Sequence, residues 1–121
     1  MRRVDKPWGY ELIWAETESY VGKILFVEAG HRLSFQYHRC KEETLLLQSG
    51  SVRFSLDDEH GVLRERVVSP GETVHVAPGR RHRIEALEDS ELVEVSTPEL
   101  GDVVRLDDDY GRTPVGEADA V

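Results

Sequence analysis

Turn-forming clusters recur along this chain at short, fairly even intervals: EAG at 28–30, QSGS at 48–51, DDEHG at 57–61, SPGE at 69–72, APGR at 77–80 and EDSE at 88–91. Gly, Pro, Asp and Ser supply the backbone angles and local hydrogen bonds of tight turns, so spacing of this kind suits strands joined by hairpins rather than helices. The runs between the turns are rich in Val, Leu, Ile and Phe and often alternate, as in Val52-Arg53-Phe54-Ser55-Leu56 and Thr73-Val74-His75-Val76. The pattern predicts an all-β, antiparallel sandwich or small barrel with little or no helix beyond one turn near Thr97-Pro98-Glu99-Leu100. No internal repeat is visible.

A chain of 121 residues is read as one domain with a core large enough to need no staples. Fifteen Lys and Arg stand against 24 Asp and Glu, a net charge of −9, which argues against nucleic acid or an anionic membrane as partner. Apolar runs such as Ile24 to Val27 and Leu45 to Leu47 are far too short to cross a bilayer. Near the N-terminus Lys6, Pro7 and Gly9 interrupt what an export signal would keep apolar, and Cys40 is the sole cysteine. A soluble, cytoplasmic protein is expected, with a strand arm over about 1–16 and a loose tail over 113–121.

The chemistry concentrates around "SFQYHRC", residues 34–40. In a strand Gln36, His38 and Cys40 share one face. Gln36 and His38 are followed by Glu43, and after a long interval by His82. A barrel brings distant strands side by side, and Gln, His, Glu and His together make a mixed nitrogen and oxygen site for a divalent first-row metal. Cys40 reads as a small residue near the rim.

These positions resemble the two motifs of the cupin superfamily, a jelly-roll or double-stranded β-helix fold. Gly30, Gln36, His38, Glu43 and Gly50 follow the first motif, with glutamine in place of its first histidine; Gly71, Gly79 and His82 follow the second, with Pro78 one place late. Over residues 5–112 the segments "DKPWGYELIW", "GHRLSFQYH", "SPGETVHVAPGRRHRIE" and "DDYGR" further resemble the cupin domain of type II mannose-6-phosphate isomerases. The resemblance implies a single cupin domain over 1–112 with metal ligands Gln36, His38, Glu43 and His82. The ion would be zinc first, with manganese, iron, cobalt or nickel as alternatives. It also implies a phosphorylated sugar as substrate, with interconversion of mannose 6-phosphate and fructose 6-phosphate as the reaction. Glu94 or Lys41 is the expected proton-transfer group, and Lys23, Arg32 and Arg112 are expected to hold phosphate.

The chain leaves the family pattern just after His38: Lys41 stands where the family has an arginine, and Glu42 adds a second carboxylate beside Glu43. Two rival readings stay open, a cupin with another sugar-directed or oxygenase activity and a non-catalytic sugar-binding or regulatory module. A homodimer is expected, because small cupins have strand edges to cover and Trp8, Tyr10 and Trp14 can anchor an N-terminal strand on the barrel or on a second subunit.

Overall fold

The computed structural model describes residues 1–115. Eleven strands form among these residues and no helix does: β1 (Arg2–Lys6), β2 (Gly9–Glu16), β3 (Val21–Val27), β4 (Phe35–Tyr37), β5 (Glu43–Ser49), β6 (Val52–Asp57), β7 (Leu63–Val68), β8 (Thr73–Val76), β9 (His82–Ala86), β10 (Ser90–Ser96) and β11 (Val104–Asp107). They build two antiparallel sheets, in the orders β1-β2-β3-β10-β5-β8 and β11-β4-β9-β6-β7. The sheets face each other across one core, which is the jelly-roll barrel.

The punctuation becomes hairpins for specific reasons. Gly50 joins β5 to β6 at φ 93°, and a Cβ there would stand 2.4 Å from the Asp89 carbonyl oxygen, so a side chain is excluded. In the β6–β7 turn the Asp58 carboxylate accepts the N–H groups of His60 and Val62 at 2.9 and 3.0 Å, an Asx-type closure. The expected helical turn at 97–100 does not form. Pro98 has no N–H to give, and Thr97 spends its N–H on the Glu42 carbonyl and its Oγ1 on the Glu42 N–H.

Topology does the work of gathering the site. β10 inserts between β3 and β5, so Glu94 lies across from Lys23 on one side and Leu45 on the other. β9 pairs with β4 so that His82 lies across from Gln36. Period-two alternation points Lys23, Leu25 and Val27, then Glu43, Leu45 and Leu47, then His82, Ile84 and Ala86, into the barrel. Trp8, Leu25, Leu47, Phe54, Ile84 and Leu92 belong to the apolar cluster, and each such buried side chain contributes ~1.5–3 kcal/mol.

β1 and β2 form the outer edge of the six-stranded sheet, and Trp8 between them is wholly buried in the core. Trp14 instead lies exposed on the sheet's outer surface, over Gly22. From residue 116 the expected tail lies outside the described residues. Its first part is held: Arg105 donates to the carbonyls of Thr113 and Pro114, and Val115 bridges Val104. Among the described residues no helix is long and apolar enough to cross a membrane.

Candidate metal centre

Inside the barrel, His38, Glu43 and His82 turn one ligand atom each toward a common point, all within 4.8 Å of one another and all buried. His38 follows the end of β4, Glu43 opens β5 and His82 opens β9, so three strand ends converge. Glu43 Oε1 stands 3.3 Å from His38 Nε2 and 3.2 Å from His82 Nε2. Two donors bound at ~2.0–2.1 Å to one tetrahedral ion are about 3.3 Å apart, so the spacing fits a shared cation.

The hydrogen bonds behind the rings sharpen this. His38 Nδ1 lies 2.5 Å from the Asp102 carbonyl oxygen, and His82 Nδ1 lies 2.9 Å from the Arg80 carbonyl oxygen. A carbonyl only accepts, so both Nδ1 atoms carry hydrogen, and a neutral ring in that tautomer aims its Nε2 lone pair at the Glu43 carboxylate. Three lone-pair donors facing one another repel unless a cation, or an added proton on each ring, sits between them. The backbone carbonyls thereby select the tautomer that a metal requires, the usual task of groups behind a ligating histidine. Buried His38 Nε2 accordingly makes no hydrogen bond of its own.

Asp102 holds this arrangement from outside. Its carboxylate accepts the N–H groups of Arg39, Cys40 and Lys41 at 3.0, 2.6 and 2.9 Å, while its carbonyl takes His38. Those bonds fix the loop that carries Lys41 into the barrel and leave Cys40 exposed at the rim. Burial alone would raise the Asp102 pKa, but the three backbone donors outweigh it and hold it below the ordinary value. No sequence signal marks Asp102, since the groups it holds lie 61 to 64 residues away.

Lys41 is fully buried, with Nζ 3.4 Å from Glu43 Oε2 and 3.2 Å from Glu94 Oε2. Burial works against its charge, yet the two carboxylates overcome this and raise its pKa, so it is a permanent internal cation. Burial pushes Glu43 up, but the charge of Lys41 beside it holds it well below the usual carboxylate range. Glu94 is raised to about 7, first by burial and then by Glu43, against the pull of Lys41 and Lys23. Glu42, the competing carboxylate, is exposed and meets His75 Nε2 at 2.5 Å, because β5 alternation sends Glu43 inward with Leu45 and Leu47.

Gln36 borders the same cavity as Glu43, His82 and Glu94, and its Oε1 accepts the Ser34 hydroxyl at 2.5 Å. The cavity is about 10 Å³, the room of a single ion or water. Lys23 is buried beside the centre with Nζ 3.3 Å from Glu11 Oε2. Lys6 reaches the same carboxylate at 3.9 Å and senses the charges of Lys23, Arg112 and Arg105. Glu11, Lys6 and Arg105 escaped the sequence reading; for Glu11 the signal was a lone carboxylate on the inward phase of β2, shared with Ile13.

Two expected phosphate ligands are placed differently. Arg32 precedes β4, where Leu33 and Ser34 are both buried and alternation has not begun, so it does not share the inward face of Gln36 and His38. It is half exposed and grips Asp109 in two places at 2.7 and 2.9 Å. Arg112 closes on Asp108 at 2.9 Å.

The fold and the buried His, Glu, His group together define a cupin with a candidate metal centre. The sequence profile of the family described as "Mannose-6-phosphate isomerase C-terminal" matches residues 1–108, and the chain belongs to that family. Its relatives include the mannose-1-phosphate guanylyltransferase ManC of Salmonella typhimurium, 34% identical over 117 residues, covering 92% of this chain and 23% of that protein. The xanthan biosynthesis protein XanB of Xanthomonas campestris is 33% identical over 118 residues, covering 93% and 24%. The chain thus spans about a quarter of the length of the curated relatives it matches. Similar solved structures include KdgF from Halomonas sp., with TM-score 0.70 at 19% identity over 82% of this chain and 89% of that one. The capsular polysaccharide assembling protein CapF of Staphylococcus aureus has TM-score 0.69 at 22% identity over 84% and 29%.

Proposed function

We propose that this chain is a cytoplasmic, metal-dependent phosphosugar isomerase that interconverts mannose 6-phosphate and fructose 6-phosphate. The single observation that carries the metal is the convergence of two Nε2 lone pairs and one carboxylate oxygen with both Nδ1 atoms bonded to backbone carbonyls. Family membership supports the reaction. His38, Glu43 and His82 would hold the ion, with Gln36 on the cavity wall to ligate it directly or to orient a bound water. Zinc suits this donor set first, with manganese, iron, cobalt or nickel as alternatives.

When bound, the metal supplies Lewis-acid polarisation of the sugar oxygens at the reacting carbons. Glu94 is the base that takes the proton from C2 of the aldose and returns it at C1 through an enediol, a task for a buried carboxylate beside two lysines. Lys41 keeps Glu43 and Glu94 apart and offsets the negative charge that develops on the sugar oxygens. Phosphate is assigned to Lys23 and Lys6, which meet at Glu11, with Arg112 near Lys6, and Arg32 is left to its ion pair with Asp109.

A second reading, a sugar-binding module or a cupin of other chemistry, is favoured by Lys41. Its ammonium fills the gap between the two carboxylates, and a cavity of about 10 Å³ leaves no room for a hexose without movement of the 39–42 loop. The deciding experiment is elemental analysis of the purified chain followed by a coupled isomerase assay with and without chelator. Stoichiometric metal and chelator-sensitive turnover support the isomerase. Metal with calorimetric binding of mannose 6-phosphate but no turnover replaces it by the second reading.

A further inference from the structure

The alternation that fills the barrel elsewhere leaves it unfilled under β7. Val68 is buried in the core, so Arg66 and Arg64 share its inward phase, yet both are exposed. Register gives the same phase: across β6 and β7, Val52 lies beside Val68, Phe54 beside Arg66 and Leu56 beside Arg64. β7 and β8 are the outer strands of their two sheets, and between them the sheets part to leave a recess of about 390 Å³.

This recess has an apolar floor and a cation without a counter-charge. Buried Phe54 and Val74 and half-buried Leu56 make the floor. On the walls, Asp57 holds Arg80 at 2.7 Å, Asp58 holds Arg64 at 2.9 Å and Glu42 takes His75. Glu65 sits on the opposite phase of β7 and lies 3.9 Å from Arg53 on the outer face of the sheet. Among the described residues no carboxylate pairs with Arg66; its Nη2 donates to the Thr73 carbonyl at 2.9 Å, which holds the guanidinium across the gap from β7 to β8. A guanidinium carries several N–H donors in a fixed fork, so most of them stay open to an acceptor in the recess.

We infer that this recess binds a small organic carboxylate with an apolar, ring-sized body, its charge gripped by Arg66 and its body laid on Phe54, Leu56 and Val74. Sites for such molecules are concave, mostly apolar and ~300–1,000 Å³ in size, with a few polar groups that fix orientation. Arginine is the side chain that holds a carboxylate in two places, and one cation suits one negative charge. On a chain of net charge −9 an anion needs such a local cation. A sugar phosphate is the poorer occupant, since its hydroxyls would find no partners on the floor. Phe54 stands between the recess and the metal centre, flat against His82 with ring centroids 6.2 Å apart and planes at 7°. The site is therefore separate from the ligand cluster, and the inference stands independently of the reaction assigned to the barrel.

Titration of the full chain with 2-naphthoate, followed residue by residue in amide NMR spectra, tests it. The expected result is saturable shifts gathered on β6, β7 and β8 around Arg66 and Thr73. Arg66→Gln, an exposed substitution that leaves the core intact, should weaken binding about tenfold or more, the share of one charge-assisted pair, while Arg53→Gln on the outer face leaves it unchanged. The neutral 2-naphthamide should bind more weakly by a similar factor, and mannose 6-phosphate should not displace the probe. No saturable shift up to about 10 mM would overturn the inference, that being weaker than any specific site of this size. So would shifts that gather instead on β1 to β3 around Lys23, equal binding by Arg66→Gln or by the neutral amide, weakening by Arg53→Gln to the same degree, or displacement by mannose 6-phosphate.

Discussion

Two halves of one barrel interior lie a single two-residue step apart along the same strands, yet they are opposite media. Moving inward on β3 the sequence passes from Lys23 to Leu25, on β10 from Glu94 to Leu92, on β5 from Glu43 to Leu45, and on β9 from His82 to Ile84. The four leucine and isoleucine positions close the core; the four polar ones sit equally buried. Alternation sets which way a side chain points and says nothing of polarity. The apolar half is held by area removed from water, which is local and tolerant of change. The charged half is tolerable only as a set, because each buried charge relies on its neighbours: Glu43 and Glu94 on Lys41 between them, Lys23 on Glu11.

The contrast breaks most visibly by exchanging one residue from each half. His82→Ala should lower affinity for zinc or cobalt by a factor on the order of 10³ or more, the share of one ligand in the ~10–16 kcal/mol of a structural zinc site, with little change in metal-free stability. Leu92→Ala should do the reverse, losing ~2–5 kcal/mol in urea unfolding while the cobalt absorption spectrum stays the same. Equal losses of both properties in both variants would mean that the halves are one unit.

Lys41→Met probes the charged half alone. It leaves Glu43 and Glu94 facing each other without their cation, so the metal-free protein should lose ~3–5 kcal/mol, and added zinc should restore part of it. Stability unchanged by the substitution would show that the ammonium is not a structural counter-ion. Asp102→Ala releases the 39–41 loop and should weaken cobalt binding ~10–100-fold and alter its absorption bands. A lower melting temperature with an unaltered spectrum would restrict Asp102 to loop stability.

The smallest effect comes from outside the barrel. Burial pushes Asp57 up, but Arg80 and Arg81 overcome this and keep it below its ordinary 3.8. Its contribution is therefore complete above about pH 4 and lost as pH falls through the lower folded value. Since the pair meets solvent, Asp57→Asn should remove less than ~1 kcal/mol from acid unfolding curves, and a larger loss would place this ion pair among the interior ones.

Much of this was legible in advance. The turn clusters and alternating runs read directly as hairpins and strands, and His38, Glu43 and His82 came from residue type and motif spacing. Where the reading went astray, local pattern had met a tertiary constraint. Arg32 seemed to share the phase of Gln36 and His38, but β4 starts at Phe35 and Asp109 claims the guanidinium. The turn of helix at 97–100 lost its backbone groups to Glu42. Lys6 and Arg105, whose charges lie near that of Arg112, were missed because only the fold brings them together.

The sequence by itself determined the class of fold, the inward phase of each strand and the donor types of the centre, because these depend on period-two alternation and turn chemistry within a few residues. Only the tertiary structure decided that Asp102 offers the carbonyl that sets the tautomer of His38, and that Lys41 lies between two carboxylates. Those are contacts between segments up to 64 residues apart, and they exist only once β10 has entered between β3 and β5 and β9 has paired with β4.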